Sequence, residues 1–254
     1  MYRDIIEDLN LLKQNYRGKY IPVIGGLIFI IAAVLSWYIL YLLKYINTQL
    51  FNIYIFITII IGLAGLLDDI LGNKRTQGFR GHFVSLFKGR LTTGIIKIII
   101  TLLVTLIVLF ELGIYNFTEI VINLGIIMLM TNLLNLLDLR PGRSIKFFIF
   151  TSLCLVLLKI YSLVYFLPYY FILFFYLPYE LKGRVMLGDS GANLLGAVLG
   201  FNIIIIINYF YIKVFILFLL LLLNLMSERY SFSTIIQKHN LLRWIDELGR
   251  RDSE

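Results

Sequence analysis

The chain has 254 residues, of which 60% are apolar and only 15% charged, with a formal net charge of +8 and a mean hydropathy of +0.89. A soluble domain carries about 25% charged residues, so an ordinary soluble fold is excluded. Apolar runs near the ~20 residues that cross a ~30 Å hydrocarbon core recur along the chain, which predicts an all-α, polytopic transmembrane helical bundle. The single cysteine, Cys154, sits in an apolar run and supports neither a disulfide framework nor a thiolate metal site.

Residues 1–20 form a charge-bearing amphipathic segment, with Ile5, Ile6, Leu9 and Leu12 at helical spacing. The expectation is a helix lying on the membrane surface. Asp4, Glu7 and Asp8 deny this segment the apolar core of a secretory leader. The membrane domain spans 21–227, with eight candidate spans at roughly 22–43, 53–67, 93–111, 119–137, 146–160, 162–179, 190–208 and 210–226. The pair 146–160 and 162–179 reads either as two spans or as one bent element about Lys159–Tyr161. Residues 228–254 form a polar C-terminal tail.

Eight spans with both termini cytoplasmic place every Lys and Arg on the inner face except Lys44, Lys159 and Lys213. That asymmetry is the positive-inside pattern. The basic balance is therefore explained by orientation and anionic lipid headgroups, and no nucleic acid is expected as a partner. The same topology brings Asp68, Asp69, Asp138 and Asp189 to the cytoplasmic ends of their spans, while Glu111 and Glu119 face outward. Ionisable groups at a membrane edge are costly and mark function. Oxygen ligands without a His/Cys cluster favour Mg²⁺ or Mn²⁺ over zinc.

Three motifs sharpen this. Leu66-Leu67-Asp68-Asp69 ends a span with two adjacent carboxylates, which need a cation, a proton or a basic group to coexist. Asn132, Asn135 and Asp138 are spaced three apart and share a helix face, suited either to interhelical hydrogen bonding or to a polar ligand. Met186-Leu-Gly-Asp189-Ser-Gly-Ala192 opens a span whose N-terminal amides attract phosphate, with Asp189 available to a metal. Ala192, Gly196 and Gly200 continue it as a small-residue seam for close helix packing, and Gly62 and Gly65 are expected to serve the same purpose. Loop 70–94 is basic and Gly-rich, with the means to hold phosphates but without a P-loop pattern, and His82 within it reads as a local hydrogen-bonding residue ahead of a metal ligand or proton-transfer group. Lys97, one turn into the third span, either snorkels to headgroups or pairs with the acidic cluster.

Asn15–Gly26, the Asp68-Asp69 pair, the Asn-x-x-Asn-x-x-Asp stripe and Met-Leu-Gly-Asp-Ser-Gly occur in order on one expected face. Together they resemble the polyprenyl-phosphate N-acetylhexosamine-1-phosphate transferase superfamily (glycosyltransferase family 4), which includes the phospho-N-acetylmuramoyl-pentapeptide transferases. The resemblance covers about residues 15–200. It implies an enzyme of the cell membrane that transfers a sugar-1-phosphate from a UDP-N-acetylhexosamine to undecaprenyl phosphate at the cytoplasmic face, releasing UMP and starting a cell-envelope glycan. It further implies Asp189 as principal Mg²⁺ ligand with Asp69 beside the metal, and Asp68 orienting or deprotonating the lipid phosphate. Lys97 would face the diphosphate, Asn132, Asn135 and Asp138 the nucleotide-sugar, and Lys19 the nucleoside.

Three departures stand out. The family's stripe continues as Gly-x-Asp-Gly, whereas this chain reads Asp138-Leu-Arg-Pro-Gly-Arg-Ser144. Pro141 replaces the second Asp, and Arg140 and Arg143 become candidates for gripping phosphate. The His-rich loop of the pentapeptide transferases is absent, which argues against that substrate. Eight spans are also fewer than the larger members have. The alternatives are a catalytically altered relative that binds polyprenyl phosphate or nucleotide-sugar, a helical prenyltransferase, and a divalent-cation transporter. The Asp68-Asp69 spacing does not suit the prenyltransferase, and a transporter places its carboxylates nearer mid-membrane.

Overall fold

The structure, a computed structural model, describes residues 12–14, 18, 20–22, 25–72 and 92–250. Two short strands, β1 (Leu12–Gln14) and β2 (Tyr20–Pro22), pair antiparallel. Gly18, at φ +75°, lies in the connection between them. The surface helix expected over 1–20 therefore does not reach Leu12, and residues 1–11 lie outside the described set. Of the expected first span, 22–43, Pro22 belongs instead to β2, which it ends as a residue with no N–H to give a ladder, and residues 23–24 lie outside the described set.

Eight longer helices follow: α1 (Gly25–Leu42), α2 (Thr48–Leu71), α3 (Thr93–Glu111), α4 (Phe117–Leu137), α5 (Arg143–Leu158), α6 (Leu163–Leu181), α7 (Gly188–Ile206) and α8 (Phe210–Arg229). Two short ones, α9 (Phe232–Lys238) and α10 (Asn240–Glu247), complete the set among the described residues. Side-chain caps fix several starts: Asn47 accepts from the Leu50 amide, Thr92 from Ile95, and Asn116 from Thr118 and Glu119. Among the described residues, the bundle is thus all-α apart from the β1–β2 ladder.

Among the described residues, seven helices are long and apolar enough to cross a membrane. The helix that falls short is α5, with 16 residues, or about 24 Å at ~1.5 Å per residue. Residues 146–179 do not form one bent element: α5 ends at Leu158, and Lys159 and a 3₁₀ turn (Ile160–Ser162) lead into α6. The Gly142 amide before α5 meets the Glu180 side chain near the end of α6, so the two run antiparallel.

Successive helices alternate in direction. The start of α1 lies against Ser190 at the start of α7, and Lys97 early in α3 meets Asp68 late in α2. Asn132 near the end of α4 bonds Asn224 near the end of α8. At the opposite end, Gln49 of α2 donates to the Glu111 carbonyl that closes α3.

The centre of the bundle is α7, buried along nearly its whole length, whereas α8 is largely exposed. Small residues explain the difference. A Cβ on Gly196 would lie 2.6 Å from Thr131 Cα, one on Gly200 2.7 Å from Ile127 Cα, and one on Gly65 2.5 Å from Ser190 Cα. Backbones of α4 and α2 therefore approach α7 directly, as the small-residue seam predicts. Buried polar pairs add interhelical ties: Tyr54 donates to Asn202 at 2.8 Å, and Trp37 to Tyr169 at 3.1 Å.

Candidate active site

Two carboxylates from different helices converge on one ammonium group. Lys97 Nζ donates to Asp68 Oδ2 and to Asp189 Oδ2, each at 2.8 Å. The side chains are 13%, 14% and 33% exposed respectively, so the ion triad is shielded but open on the Asp189 side. Longer than its expected core of 53–67, α2 continues to Leu71 and carries Asp68 and Asp69 on its last turn. Lys97 lies on the second turn of α3, behind the Thr92 cap. Asp189 follows Gly188, whose φ of +66° makes the turn into α7 that a side chain would strain. Of the two sequence readings of Lys97, the structure selects pairing with the acidic cluster.

Asp69 does something different from its neighbour. Its Oδ1 accepts from the Asp189 amide at 3.2 Å and its Oδ2 from the Ser190 amide at 3.0 Å. It is 4% exposed. The carboxylate thus caps the N-terminus of α7 from another helix, satisfying donors that a helix start leaves unpaired. The α7 amides that the sequence offers to a phosphate are already taken at these two positions. Gly65, one turn before Asp69, permits the close approach this requires.

The polar stripe of α4 divides. Asn132 Nδ2 donates to Asn224 Oδ1 at 2.7 Å, so Asn132 joins α4 to α8, and Asn224 also donates to the Leu129 carbonyl. Asp138 accepts from Ser144 at 2.8 Å. Burial and then the neighbouring Glu180 carboxylate push the Asp138 carboxyl well above its ordinary range. Asn135 offers its carbonyl to the Asp138 amide at the helix end. Asp138, Arg140, Pro141, Glu180, Met186 and Leu187 line a narrow cleft.

The arginines separate as well. Arg140 lines that cleft, whereas Arg143 is 7% exposed and forks onto Asp246. Its Nε and NH2 atoms reach Oδ1 and Oδ2 at 2.8 and 3.0 Å, and its NH1 donates to Ser233. Arg143 therefore serves the C-terminal tail instead of gripping a phosphate. Lys19, expected at the nucleoside, lies outside the described residues, as do His82 and the basic loop over 73–91.

The sequence places Glu180 among the carboxylates at helix ends but gives it no role; it is a 2%-exposed carboxylate on an apolar helix. One of its oxygens accepts from the Gly142 amide at 2.7 Å, and the other has no hydrogen-bond partner among the described residues. A charge inside an apolar run was the available signal. Asp246 was missed for a better reason: its partner lies 103 residues away.

Mg²⁺ prefers oxygen ligands and is often held by one or two carboxylates together with water and substrate phosphates. Asp68 and Asp189 supply such a pair, already converging on one cationic nitrogen, so the residues present fit the ion that the resemblance implies. No group of three or more His, Cys, Asp or Glu suited to a metal occurs among the described residues. No family model, curated protein or solved structure matches the chain.

Proposed function

We propose that the protein transfers a sugar-1-phosphate from a UDP-sugar, with N-acetylhexosamine the expected sugar, to undecaprenyl phosphate, releasing UMP. The observation that carries this reading is the Asp68–Lys97–Asp189 triad at the end of the bundle where α2, α3 and α7 meet. With a divalent cation added to its two carboxylates and one ammonium, such a site would suit two anionic reactants, one of them anchored in lipid. The excess of Lys and Arg at this end supports a cytoplasmic orientation and a cell-membrane location.

Asp189 and Asp68 would hold Mg²⁺, with Mn²⁺ as an alternative, and the ion would supply charge withdrawal from the diphosphate. The Lys97 ammonium, aligned by both carboxylates, offsets repulsion between the acceptor phosphate and the donor diphosphate. A phosphate monoester has its second pKa near ~6 and is largely dianionic at neutral pH. The acceptor therefore needs no strong base, and Asp68 acts by holding Lys97 and orienting the phosphate. Asp69 positions α7 and, through it, Asp189. Asp138 and Arg140, in the adjoining cleft, would meet the nucleotide-sugar.

A second reading, a relative that binds these substrates without turnover, is favoured by Pro141 in the family's Asp position and by the commitment of Arg143 to Asp246. Purified protein with undecaprenyl phosphate, Mg²⁺ and a panel of nucleotide-sugars distinguishes the two. Mg²⁺-dependent UMP release that is lost in Asp189→Asn supports transfer. Donor binding without release supports the second reading.

A further inference from the structure

We propose that α10 is a membrane-surface helix, seated in the headgroup layer of an anionic bilayer and latched to the bundle through its polar edge. Its eight residues separate cleanly. At 100° per residue, Leu241, Trp244 and Ile245, with Leu248 just beyond, form one narrow stripe, and Leu242 borders it. Asn240, Arg243, Asp246 and Glu247 fill the opposite side. All five apolar side chains are exposed, Leu241 at 68% and Trp244 at 62%.

The polar side is the one that docks. Asp246 pairs with Arg143 at 2.8 Å, and Arg250 donates both to Asp246 and to the Pro141 carbonyl. Lys146 Nζ donates to the carbonyls of Ile245 and Asp246. These contacts hold α10 at the start of α5, at the level where the apolar helices end. An apolar face with a tryptophan at that level is placed for the boundary between headgroups and acyl chains. With Asp246 already paired to Arg143 and Arg250, the exposed Arg229, Lys238 and Arg243 outweigh the exposed Glu247 on this tail, which favours an anionic lipid surface. The latch also reaches Pro141, so the wall of the cleft is tied to an element resting on the bilayer. This inference stands independently of the transfer reaction.

The test places a nitroxide at Leu241→Cys on the apolar stripe or at Arg243→Cys on the polar side, each with Cys154→Ser. The protein is reconstituted in phosphatidylethanolamine/phosphatidylglycerol vesicles. Accessibility to oxygen, which concentrates in lipid, is compared with that to a water-soluble nickel chelate. The expected result is oxygen-dominated relaxation at position 241 and chelate-dominated relaxation at 243. Chelate-dominated relaxation at both positions would overturn the proposal. So would protection of 241 from both reagents with spin–spin coupling that grows with protein density, which would identify a second copy as the occupant. An unfolded or detached tail would show two equally mobile, chelate-accessible labels, which is also a refutation.

Discussion

At Lys97, one ammonium answers two carboxylates, and the consequence is an asymmetry between breaking the triad and neutralising it. Lys97→Met leaves Asp68 and Asp189 facing each other without compensation. Removing one partner of a shielded ion pair costs about 3–5 kcal/mol, with the low end expected because Asp189 is one-third exposed. Thermal unfolding in detergent should show this loss, and Lys97→Met with Asp68→Asn should recover part of it. Additive destabilisation in the double variant would mean the three groups are not coupled. Asp69 makes a separate prediction. Asp69→Ala strands two amides at the start of α7, for about 1–3 kcal/mol each. The melting temperature should fall whether or not Mg²⁺ is present. An unchanged melting temperature with a raised Mg²⁺ requirement would instead make Asp69 a metal ligand.

At the scale of helices, the approach of α4 to α7 depends on the absence of side chains. Gly196→Val forces a branched side chain into a space where even a Cβ lies 2.6 Å from Thr131 Cα. Overpacking of this kind costs about 1–3 kcal/mol, so the variant should unfold earlier, whereas Leu157→Val, at an 85%-exposed position, should not. The C-terminal latch adds a pH dependence. Burial opposes ionisation of Asp246, but hydrogen bonds and charge from Arg143, then Arg250, outweigh it and hold its carboxyl below the ordinary 3.8. A carboxylate with a depressed native pKa contributes stability that is fully present above its unfolded value and is lost as pH falls through the native one. The latch should therefore hold from neutrality to below pH 4, and Asp246→Asn should weaken it at every pH in that range. Protease cleavage within 230–250 reads this out; equal cleavage of wild type and Asp246→Asn at pH 7 would contradict it.

For the whole molecule, alternating helix directions put the start of α1 and the end of α8 at one end of the bundle, provided α5 crosses. Single cysteines in a Cys154→Ser background decide this. Tyr45→Cys, Ile114→Cys and Tyr161→Cys should react with an impermeant thiol reagent from one side, and Tyr230→Cys from the other. Labelling of Tyr161→Cys from the Tyr230 side would mean that α5 does not cross. The helices themselves were legible in the apolar runs, because length and hydropathy are local properties. Gly196 and Gly200 could also be read, since the four-residue spacing of small residues from Ala192 has a local signature, and Gly65 through its neighbour Gly62. What the pattern could not convey was which partner each polar group takes. Asp68 and Asp69 are adjacent in the chain, yet one meets an ammonium and the other two amides about 120 residues away. Asn132 and Arg143 likewise look available until α8 and α10 fold against them.

Sugar-1-phosphate transfer is decided by following nucleoside monophosphate release from UDP-sugars by purified protein with undecaprenyl phosphate, in wild type, Lys97→Met and Asp189→Asn. Wild type should release UMP in an Mg²⁺-dependent reaction from at least one UDP-N-acetylhexosamine, and both variants should be slower by at least ~100-fold. No release from any donor by folded wild-type protein, or release that persists undiminished without Lys97 and Asp189, would contradict it.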